Sequence, residues 1–276
     1  MKVIAFLTDF GLSDAYVGQM KGVALRICPE AKLADITHGI PKYNVLWGAH
    51  ILRISRRYFP KGTVFVGVVD PGVGSERKAV AIVGEEGNVY VGPDNGLLYP
   101  SAAEEGIKAV YELNPEKAGL PEIAHTFHGR DLFTPAAALI ACGVNPASIG
   151  RRLSADDLVK LPKIPRKPKV MGEAVRARVV YVDGFGNIIT DMGTSELRNY
   201  LGVKLGGIVQ ISFDGGRTWV SVKYGRTFSD VPEGSLVLYE GSHGLIEIAV
   251  NRGNAALALN PARDVLMKKA AKQLNR

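Results

Sequence analysis

The stretch TVFVGVVDPGVGSER, residues Thr63–Arg77, carries the clearest sign of the fold. Its first part, Thr63–Val69, is a β-branched run that is apolar on both faces, and such a strand is typical of the middle of a sheet covered on both sides. The run stops at Asp70, where a proline and two glycines begin a loop. The stretch therefore predicts a central strand that ends in a loop with one acid, Asp70, and one base, Arg77.

On both sides of this stretch, strand-like and helix-like patterns alternate through the first half of the chain. The predicted strands cover residues 2–7, 32–37, 63–69, 78–83, 88–91 and 108–113. The predicted helices cover residues 15–27, 44–59 and 133–142. Because alternation of this kind is typical of α/β layers, we expect an α/β N-terminal domain with a central, mostly parallel sheet.

The pattern changes near residue 155. Residues 161–168, LPKIPRKP, hold three prolines among basic residues, which is the composition of a linker. Beyond Met171 the apolar runs are short and helical patterns are rare, and Asp214-Gly215-Gly216 is typical of a hairpin turn. We expect an N-terminal domain over 1–158, a linker over 159–171, and a smaller all-β, barrel-like C-terminal domain over 172–276.

The composition is that of a globular protein. The chain has 276 residues, of which 46% are hydrophobic, and a net charge of +7. The basic residues are dispersed, apart from a cluster at 160–169 that we interpret as solvated linker, so no nucleic-acid partner is expected. No apolar run reaches the length of a membrane span, and the N-terminal run MKVIAFLTDFG is interpreted as a strand. We therefore expect no membrane association and a cytoplasmic location.

The two cysteines, Cys28 and Cys142, lie far apart in the sequence. Neither belongs to a CxxC pair, so no zinc or redox motif is visible. Each lies in an apolar helical stretch, which predicts a small buried hydrophobe.

Polar residues gather where the predicted strands end. The groups are Thr8–Gly11, Thr37–Gly39, Asp70–Gly74, Gly92–Gly96 and, at the start of a predicted helix, His128–Asp131. Any one of them is explained by a turn or a helix cap. Because ligands bind outside the carboxyl ends of strands in open α/β sheets, the five groups together predict a functional site.

Two chemistries fit these residues. One is an oxygen-rich metal site for metal-assisted hydrolysis, built from Asp9, Asp14, His38, Asp70, Asp94, His128 and Asp131. Against it, the DxD or HxH spacing of dedicated metal sites is missing, and Arg77 and Arg130 lie near by in the sequence. The other is a metal-free site in which Asp70, Arg77 and His128 hold a water molecule or an anion. A nucleoside triphosphate is not expected, since GVGSER lacks the GK[ST] ending of a phosphate loop.

Six motifs, in order along nearly the whole chain, resemble one family. They are TDFGLSDAYVGQMKG (8–22), DPGVGSER (70–77), GPDNGLLYP (92–100), TFHGRDLFTPAAA (126–138), YVDGFGNIITD (181–191) and YEGSHGLIEIAVNRG (239–253). The family is that of the S-adenosyl-L-methionine hydroxide adenosyltransferases, which are relatives of fluorinating and chlorinating enzymes.

The resemblance implies an enzyme that hydrolyses S-adenosyl-L-methionine to adenosine and L-methionine. Asp70, Arg77 and His128 match the residues that hold the water or hydroxide for attack at the 5′ carbon of the ribose. S-adenosyl-L-methionine is then the substrate, and no cofactor or metal is implied. Whether Asp70 or His128 accepts the proton stays open from the sequence.

The resemblance also implies the residues that bind the substrate. They are Asp9 (ribose hydroxyls), Tyr43 (ribose and sulfonium), Asp183 (methionine ammonium), Phe185 and Asn187 (adenine), Ser242 (methionine carboxylate) and Asn251 (adenine edge). Members of the family are trimers that bind the ligand between the N-terminal domain of one subunit and the C-terminal domain of the next. A homotrimer with its site at the subunit interface is therefore expected.

Two positions depart from the halogenating relatives, which carry Tyr in place of Asp70 and Arg in place of His243. A carboxylate beside a halide site repels the anion, whereas water accepts such a neighbour, so Asp70 favours hydroxide over halide. Two alternatives stay open: an adenosine-binding protein with vestigial turnover, and a halogenase that uses S-adenosyl-L-methionine.

Overall fold

The computed structural model describes residues 2–162 and 164–270. The chain divides into two compact units, Met1–Pro162 and Lys163–Arg276. This division lies within the proline-rich segment in which the sequence predicts a linker.

The first unit contains one seven-stranded sheet. Its strands are β1 Val3–Thr8, β2 Lys32–Thr37, β3 Val64–Val68, β4 Ala79–Gly84, β5 Val89–Pro93, β6 Ile107–Leu113 and β7 Gly150–Leu153. They lie in the order β2-β1-β3-β5-β4-β6-β7. The pairings among β2, β1, β3 and β5 are parallel, and those from β5 through β4 and β6 to β7 are antiparallel. The predicted α/β class is confirmed, with a mixed sheet.

The central position of β3 follows from its composition. All five of its residues are buried, as an apolar strand with neighbours on both edges requires. Val66 and Val68 pack into a core with Phe6 of β1 and with Phe133.

Helices cover this sheet and connect its strands. They are α1 Tyr16–Ile27, α2 Val45–Ser55, α3 Tyr99–Glu105, α4 Pro115–Ala118, α5 Thr134–Ala141 and α6 Pro146–Ile149. The helix predicted over 44–59 is shorter as an α-helix, because the chain tightens into a 3₁₀ turn at Arg56–Tyr58. Within the described part of the chain, no helix has the length and apolar character needed to cross a bilayer.

The two cysteines depart from the sequence prediction. Cys28 and Cys142 form a disulfide with a Cα–Cα distance of 5.8 Å, so the interpretation of each as an isolated small hydrophobe is wrong. Cys28 directly follows α1, Cys142 directly follows α5, and the two helices pack together. The partners are 114 positions apart, and such a pairing comes from helix packing that the spacing of two cysteines does not reveal.

The second unit is built mainly of strands. They are β8 Lys169–Met171, β9 Ala174–Val182, β10 Ile188–Thr190, β11 Ile208–Ser212, β12 Val220–Tyr224, β13 Leu236–Glu240, β14 Ile246–Val250 and β15 Asp264–Lys269. Two helices accompany them, α7 Thr194–Leu201 and α8 Ala255–Leu259.

These strands close into a barrel. Their order is β10-β14-β13-β12-β11-β15-β9-β8, and a further pairing of β9 with β10 closes a ring of seven strands. The barrel-like C-terminal fold predicted from the sequence is thereby confirmed. β8 extends the sheet beside β9, although its residues lie within the predicted linker range.

Candidate active site

The carboxyl ends of four parallel strands lie at one edge of the sheet in the first unit. Because β2, β1, β3 and β5 are adjacent and parallel, the polar residues that follow them gather there. Thr8 at the end of β1 bonds His38 after β2, with 2.8 Å between Oγ1 and Nδ1. Asn95 after β5 donates from Nδ2 to the carbonyl oxygen of Val69 over 2.8 Å. The strand ends are thus joined by their own polar groups.

Asp70 and Arg77 form a buried, bidentate ion pair at this edge. Nε of Arg77 lies 3.1 Å from Oδ1 and 3.0 Å from Oδ2 of Asp70, and Nη2 lies 2.6 Å from Oδ2. Only 10% of the Arg77 side chain and 5% of the Asp70 side chain are exposed. The fork of donors therefore holds the carboxylate in one orientation.

His128 completes the cluster through the same guanidinium. Nη2 of Arg77 lies 2.8 Å from Nδ1 of His128. A guanidinium can only donate, so Nδ1 accepts and the proton of the neutral ring is on Nε2. Burial lowers the pKa of His128, and the charge of Arg77 lowers it further, against the opposing effect of Asp70. The ring of Phe133 lies under the guanidinium at 5.1 Å, a cation–π contact.

The loop between Asp70 and Arg77 folds back because of Gly74. Its φ is +79°, a conformation that side chains rarely adopt, and a Cβ there would lie 3.0 Å from the carbonyl oxygen of His125. Ser75 stabilises the turn, with Oγ donating to the Gly72 carbonyl oxygen over 2.7 Å. The close approach brings the loop against the segment that carries His128.

His128 immediately precedes a π-helical turn, Gly129–Phe133, that leads into α5. Such turns are rare and often occur at functional sites. The hydroxyl of Thr134 donates to the Gly129 carbonyl oxygen over 2.7 Å. Asp131 anchors the turn, since its Oδ2 accepts from the backbone N–H of Ala124 at 3.0 Å and from Nη2 of Arg130 at 2.9 Å.

Asp9 holds a strained residue at the same edge. Its Oδ2 accepts from the backbone N–H of Tyr43 at 2.9 Å, and Tyr43 has a φ of +64°, which is unusual for a residue with a side chain. Asp9 itself is buried, whereas the ring of Tyr43 is 70% exposed. Backbone strain of this kind concentrates at ligand sites. Asp9 thus presents an aromatic ring on the surface of its unit.

Three aromatic rings connect the Asp9 loop to the His128 loop. Phe10 follows Asp9, Phe127 precedes His128, and their ring centroids are 5.7 Å apart in an edge-to-face contact. Tyr16 lies 5.1 Å from Phe127 and 5.8 Å from Phe10. We call Phe10, Tyr16 and Phe127 the aromatic triangle.

The remaining residues of the alternative metal site are used elsewhere. His38 pairs with Asp35, with 3.0 Å between Nε2 and Oδ1, and Asp94 accepts from the backbone N–H of Val159 at 3.0 Å. Asp14 lies in an exposed loop. Arg77 places a positive charge between Asp70 and His128, where a metal ion would be repelled.

One group in residues 2–162 and 164–270 has the spacing of metal ligands, and it lies elsewhere in the first unit. It consists of Cys28, Glu30 and Cys142. Its two sulfur atoms are joined to each other as the disulfide, so they do not act as thiolate ligands.

In the second unit, the turn between β9 and β10 contains three of the predicted binding residues. Oδ1 of Asp183 accepts from the backbone N–H groups of Phe185 and Asn187, both at 2.9 Å. Oδ2 accepts from Nδ2 of Asn187 at 2.8 Å. The ring of Phe185 is 81% exposed, whereas Asn187 is buried. The carboxylate therefore shapes the turn that presents the ring.

The other two predicted residues border β14. Ser242 is exposed in the turn between β13 and β14. Asn251 follows β14, and its Nδ2 donates to the carbonyl oxygen of Val231 over 2.8 Å. Asn251 thus also anchors a neighbouring loop.

A buried acid that the sequence analysis did not single out, Glu247, lies in β14. Glu247 accepts from the hydroxyl of Tyr239 at 2.7 Å and contacts Nδ1 of His243 at 3.1 Å. Burial, then Glu247, and to a smaller extent Asp183, raise the pKa of Tyr239 far above its ordinary value. The sequence signal that could have identified Glu247 is its position as the single acid in the otherwise apolar strand IEIAV.

The chain is similar to known proteins over nearly its whole length. The family model for the SAM hydroxide adenosyltransferase N-terminal domain matches residues 4–150, and the family model for the C-terminal domain matches residues 177–264. An (R)-S-adenosyl-L-methionine hydrolase of Thermus thermophilus is 40% identical, over 94% of this chain and 96% of its own. A fluorinase of Nocardia brasiliensis is 29% identical, over 94% and 93%. The crystal structure of an uncharacterized conserved protein from Thermotoga maritima superposes with a TM-score of 0.84 at 36% identity, covering 96% of this chain and all of that one.

Proposed function

The chain belongs to the SAM hydroxide adenosyltransferase family, and we propose from this that it hydrolyses S-adenosyl-L-methionine to adenosine and L-methionine. The observation that carries the proposal is the buried cluster of Asp70, Arg77 and His128 at the carboxyl edge of the sheet. The nearly full-length hydrolase relatives support the same activity.

The reaction replaces the C5′–S bond by a C5′–O bond. Water attacks C5′, the electron pair of the broken bond goes to sulfur, and one proton leaves the water. The sulfonium is already a good leaving group, so the difficulty is the weak nucleophile, since bulk water has a pKa of about 15.7. Water must lie in line with the C5′–S bond at about 3–3.5 Å from C5′. A cluster of fixed polar groups supplies that position.

The hydrogen bonds support different roles for the three residues. The proton on Nε2 makes His128 a donor toward the oxygen of the water or developing hydroxide. We assign proton acceptance to the carboxylate of Asp70. The one acceptor nitrogen of His128 is already bonded to Arg77, whereas Oδ1 of Asp70 accepts a single bond from Arg77 and keeps a second lone pair. The cation of Arg77 stabilises the developing hydroxide. The same buried carboxylate disfavours a halide in that place, which argues against the halogenase alternative.

The binding roles follow the family resemblance. Asp9 holds the ribose hydroxyls and Tyr43 lies against the ribose and sulfonium. From the second unit, Asp183 meets the ammonium, Ser242 the carboxylate, and Phe185, Asn187 and Asn251 the adenine. The exposure of the Tyr43 and Phe185 rings supports roles as surfaces for stacking.

Labelled water tests the activity and its site of attack. With S-adenosyl-L-methionine in ¹⁸O-water, we expect ¹⁸O in the 5′ hydroxyl of adenosine and unlabelled L-methionine. Activity after exhaustive chelation is expected, because we propose that no metal or cofactor takes part. Binding of adenosine without any turnover would instead favour the adenosine-binding alternative, and 5′-halogenated nucleoside in halide buffer would favour the halogenase.

We propose a homotrimer whose site uses the first unit of one subunit and the second unit of the next. The exposed rings of Tyr43 and Phe185, one in each unit, support this arrangement. Complementation tests it: Asp70→Ala and Asn187→Ala subunits, each inactive alone, are co-expressed. Shared sites restore part of the activity, because some sites then combine an intact first unit with an intact second unit. No restoration in a mixed trimer would contradict shared sites.

We also propose a cytoplasmic location. Disulfides are uncommon in the cytosol of mesophiles, so the Cys28–Cys142 bond is unusual for a cytoplasmic protein. The test therefore measures the location and the oxidation state of the two cysteines together. Cell fractionation with alkylation of thiols before lysis measures both. Recovery of the protein outside the cytoplasmic fraction would contradict the proposal.

A further inference from the structure

The turn after β5 contacts the chain on both sides of the Asp70–Arg77 loop. Nδ2 of Asn95 donates to the carbonyl oxygen of Val69, the residue before Asp70, over 2.8 Å. The backbone N–H of Asp94 donates to the carbonyl oxygen of Lys78, the residue after Arg77, over 2.9 Å. Neighbouring residues of one turn therefore hold the two ends of the loop that carries the ion pair.

Asn95 extends the pairing of β3 with β5 beyond the last regular bridge. The register of the two strands runs through Val66 opposite Val91. Val69 is completely buried, and the proline after Asp70 has no N–H to offer a neighbouring strand. The side-chain amide of Asn95 supplies the donor that a continuing strand would have provided, and its Oδ1 accepts from the backbone N–H of Leu97 at 3.1 Å.

The orientation of this carbonyl limits where the carboxylate can point. The peptide group between Val69 and Asp70 is planar, so fixing its oxygen also fixes the N–H and the Cα of Asp70. A buried carbonyl that loses its donor tends to rotate toward another partner. Such a rotation would move the carboxylate relative to Arg77, whose contacts with it span only 2.6–3.1 Å.

We infer that Asn95 is a positioning residue for the hydrolysis, acting through the Val69 carbonyl to aim Asp70 at Arg77 and the attacking water. The inference rests on the proposed function, because Asp70 is taken as the group that meets the water. It gives the GPDNG motif a part in the reaction beyond shaping a turn.

The chain offers a matched control at the opposite end of the same two strands. Oδ1 of Asn88 accepts from the backbone N–H of Thr63 at 3.0 Å, and its Nδ2 donates to Glu105 at 3.0 Å. Asn88 precedes β5 and Thr63 precedes β3, so this bridge pins the strand pair away from the carboxyl edge. In both asparagines the amide oxygen accepts one hydrogen bond and the amide nitrogen donates one.

The experiment compares Asn95→Ala with Asn88→Ala in the full-length enzyme. For Asn95→Ala we expect kcat to fall about 10- to 100-fold, the size of loss that a displacement of about 1 Å causes at a reacting group, with KM and adenosine affinity nearly unchanged. For Asn88→Ala we expect a lower Tm with nearly unchanged kcat. An unchanged kcat in Asn95→Ala, or equal kcat losses in both variants at equal Tm, would overturn the inference.

A third variant adds a pH signature. In Asn95→Asp the carboxylate repels the Val69 carbonyl at neutral pH, but a protonated carboxyl donates to it. Its kcat relative to that of the wild type should therefore rise as the pH falls. A ratio that stays level or declines would argue against a donor role.

A crystal structure of Asn95→Ala separates this inference from the proposed function. Separation of Nη2 of Arg77 from Oδ2 of Asp70 beyond hydrogen-bond distance is expected. Should the wild type form no adenosine, the proposed function fails while this readout still decides the positioning role. An unmoved ion pair overturns the inference in either case.

Discussion

Nη2 of Arg77 lies 2.8 Å from Nδ1 of His128 and 2.6 Å from Oδ2 of Asp70, so one guanidinium nitrogen contacts both side chains. Because that nitrogen only donates, it places the imidazole proton on Nε2. His128 therefore offers a hydrogen-bond donor at Nε2, although histidine is the residue that most often acts as a general base in enzymes.

Two substitutions of His128 test this role. In His128→Gln the amide keeps a donor near the position of Nε2, whereas His128→Asn keeps an acceptor near Nδ1 and loses the distant donor. We expect the Gln variant to keep more kcat than the Asn variant, and Asp70→Asn to lose on the order of 10²- to 10⁴-fold. Steady-state kinetics and adenosine calorimetry measure these effects. Equal losses in both His128 variants, together with an active Asp70→Asn, would identify His128 as the base.

The activity should decline on the acid side with an apparent pKa below the ordinary histidine value of about 6.5, because burial and Arg77 lower the pKa of His128. Protonation would place a second cation beside Arg77 and remove the Nδ1 acceptor. The unfolded chain binds the proton more readily, so His128 contributes stability above about pH 6.5 that is lost as the pH falls through the lowered pKa. A kcat profile and Tm against pH measure both, with His128→Gln as the control that lacks this limb. An acid limb that persists in the control would assign it to another group.

Asp9→Ala should weaken substrate binding more than it slows the chemical step. It removes a charged acceptor, and such bonds contribute about 1.5–3 kcal/mol, or on the order of 10- to 100-fold in affinity. It also releases Tyr43 from its strained conformation. Calorimetry with adenosine measures the loss. Asp9→Asn is the control, because it keeps an acceptor for Tyr43 while losing the charge, and wild-type KM in Asp9→Ala would refute the ribose role.

Removing the disulfide should lower thermal stability and leave the chemistry intact. Closing a loop of 114 residues stabilises a protein by about 2–5 kcal/mol through the unfolded chain. We expect a clear fall in Tm for Cys28→Ser/Cys142→Ser, with kcat at room temperature nearly unchanged. Reductant should lower the Tm of the wild type and leave that of the double variant unaffected. A wild-type Tm that is insensitive to reductant, with thiols accessible to alkylation, would contradict a formed bond.

Phe10 and Phe127 should be energetically coupled in catalysis. Edge-to-face pairs contribute about 0.5–1.5 kcal/mol beyond their buried area, and this one connects the Asp9 loop to the His128 loop. A double-mutant cycle with Leu at both positions, read as kcat/KM, measures the coupling. Phe59 and Phe65, an edge-to-face pair at 5.5 Å elsewhere in the unit, serve as the control. If both pairs are coupled in Tm but neither is coupled in kcat/KM, the aromatic triangle contributes to packing and not to catalysis.

The sequence predicted the features that depend on local pattern. The apolar run before Asp70 predicted a buried central strand, and the short runs after Met171 predicted a barrel. The gathering of strand ends followed from parallel order, because the carboxyl ends of neighbouring parallel strands share one edge. The roles of individual side chains at that edge depend on atomic contacts, which the sequence pattern does not predict. The expected roles therefore came from the family resemblance.

The features that the sequence did not predict depend on contacts between segments that are distant along the chain. Cys28 meets Cys142 only because α1 packs against α5. Asn95 looked like a turn residue, and its second bond, to Val69, arises from strand order. Glu247 needed partners from outside its own strand, such as Tyr239, before a buried acid there made sense.

The Cys28–Cys142 bond also divides the first unit in a way that the sheet does not. Residues 28 to 142 form a covalent ring, which includes Asp70, Arg77 and His128, while Asp9 lies on the tail outside it. A single cut anywhere inside the ring opens it without releasing a fragment. A protease nick in the segment between β6 and α5 would therefore leave one band on a gel without reductant and two bands with it.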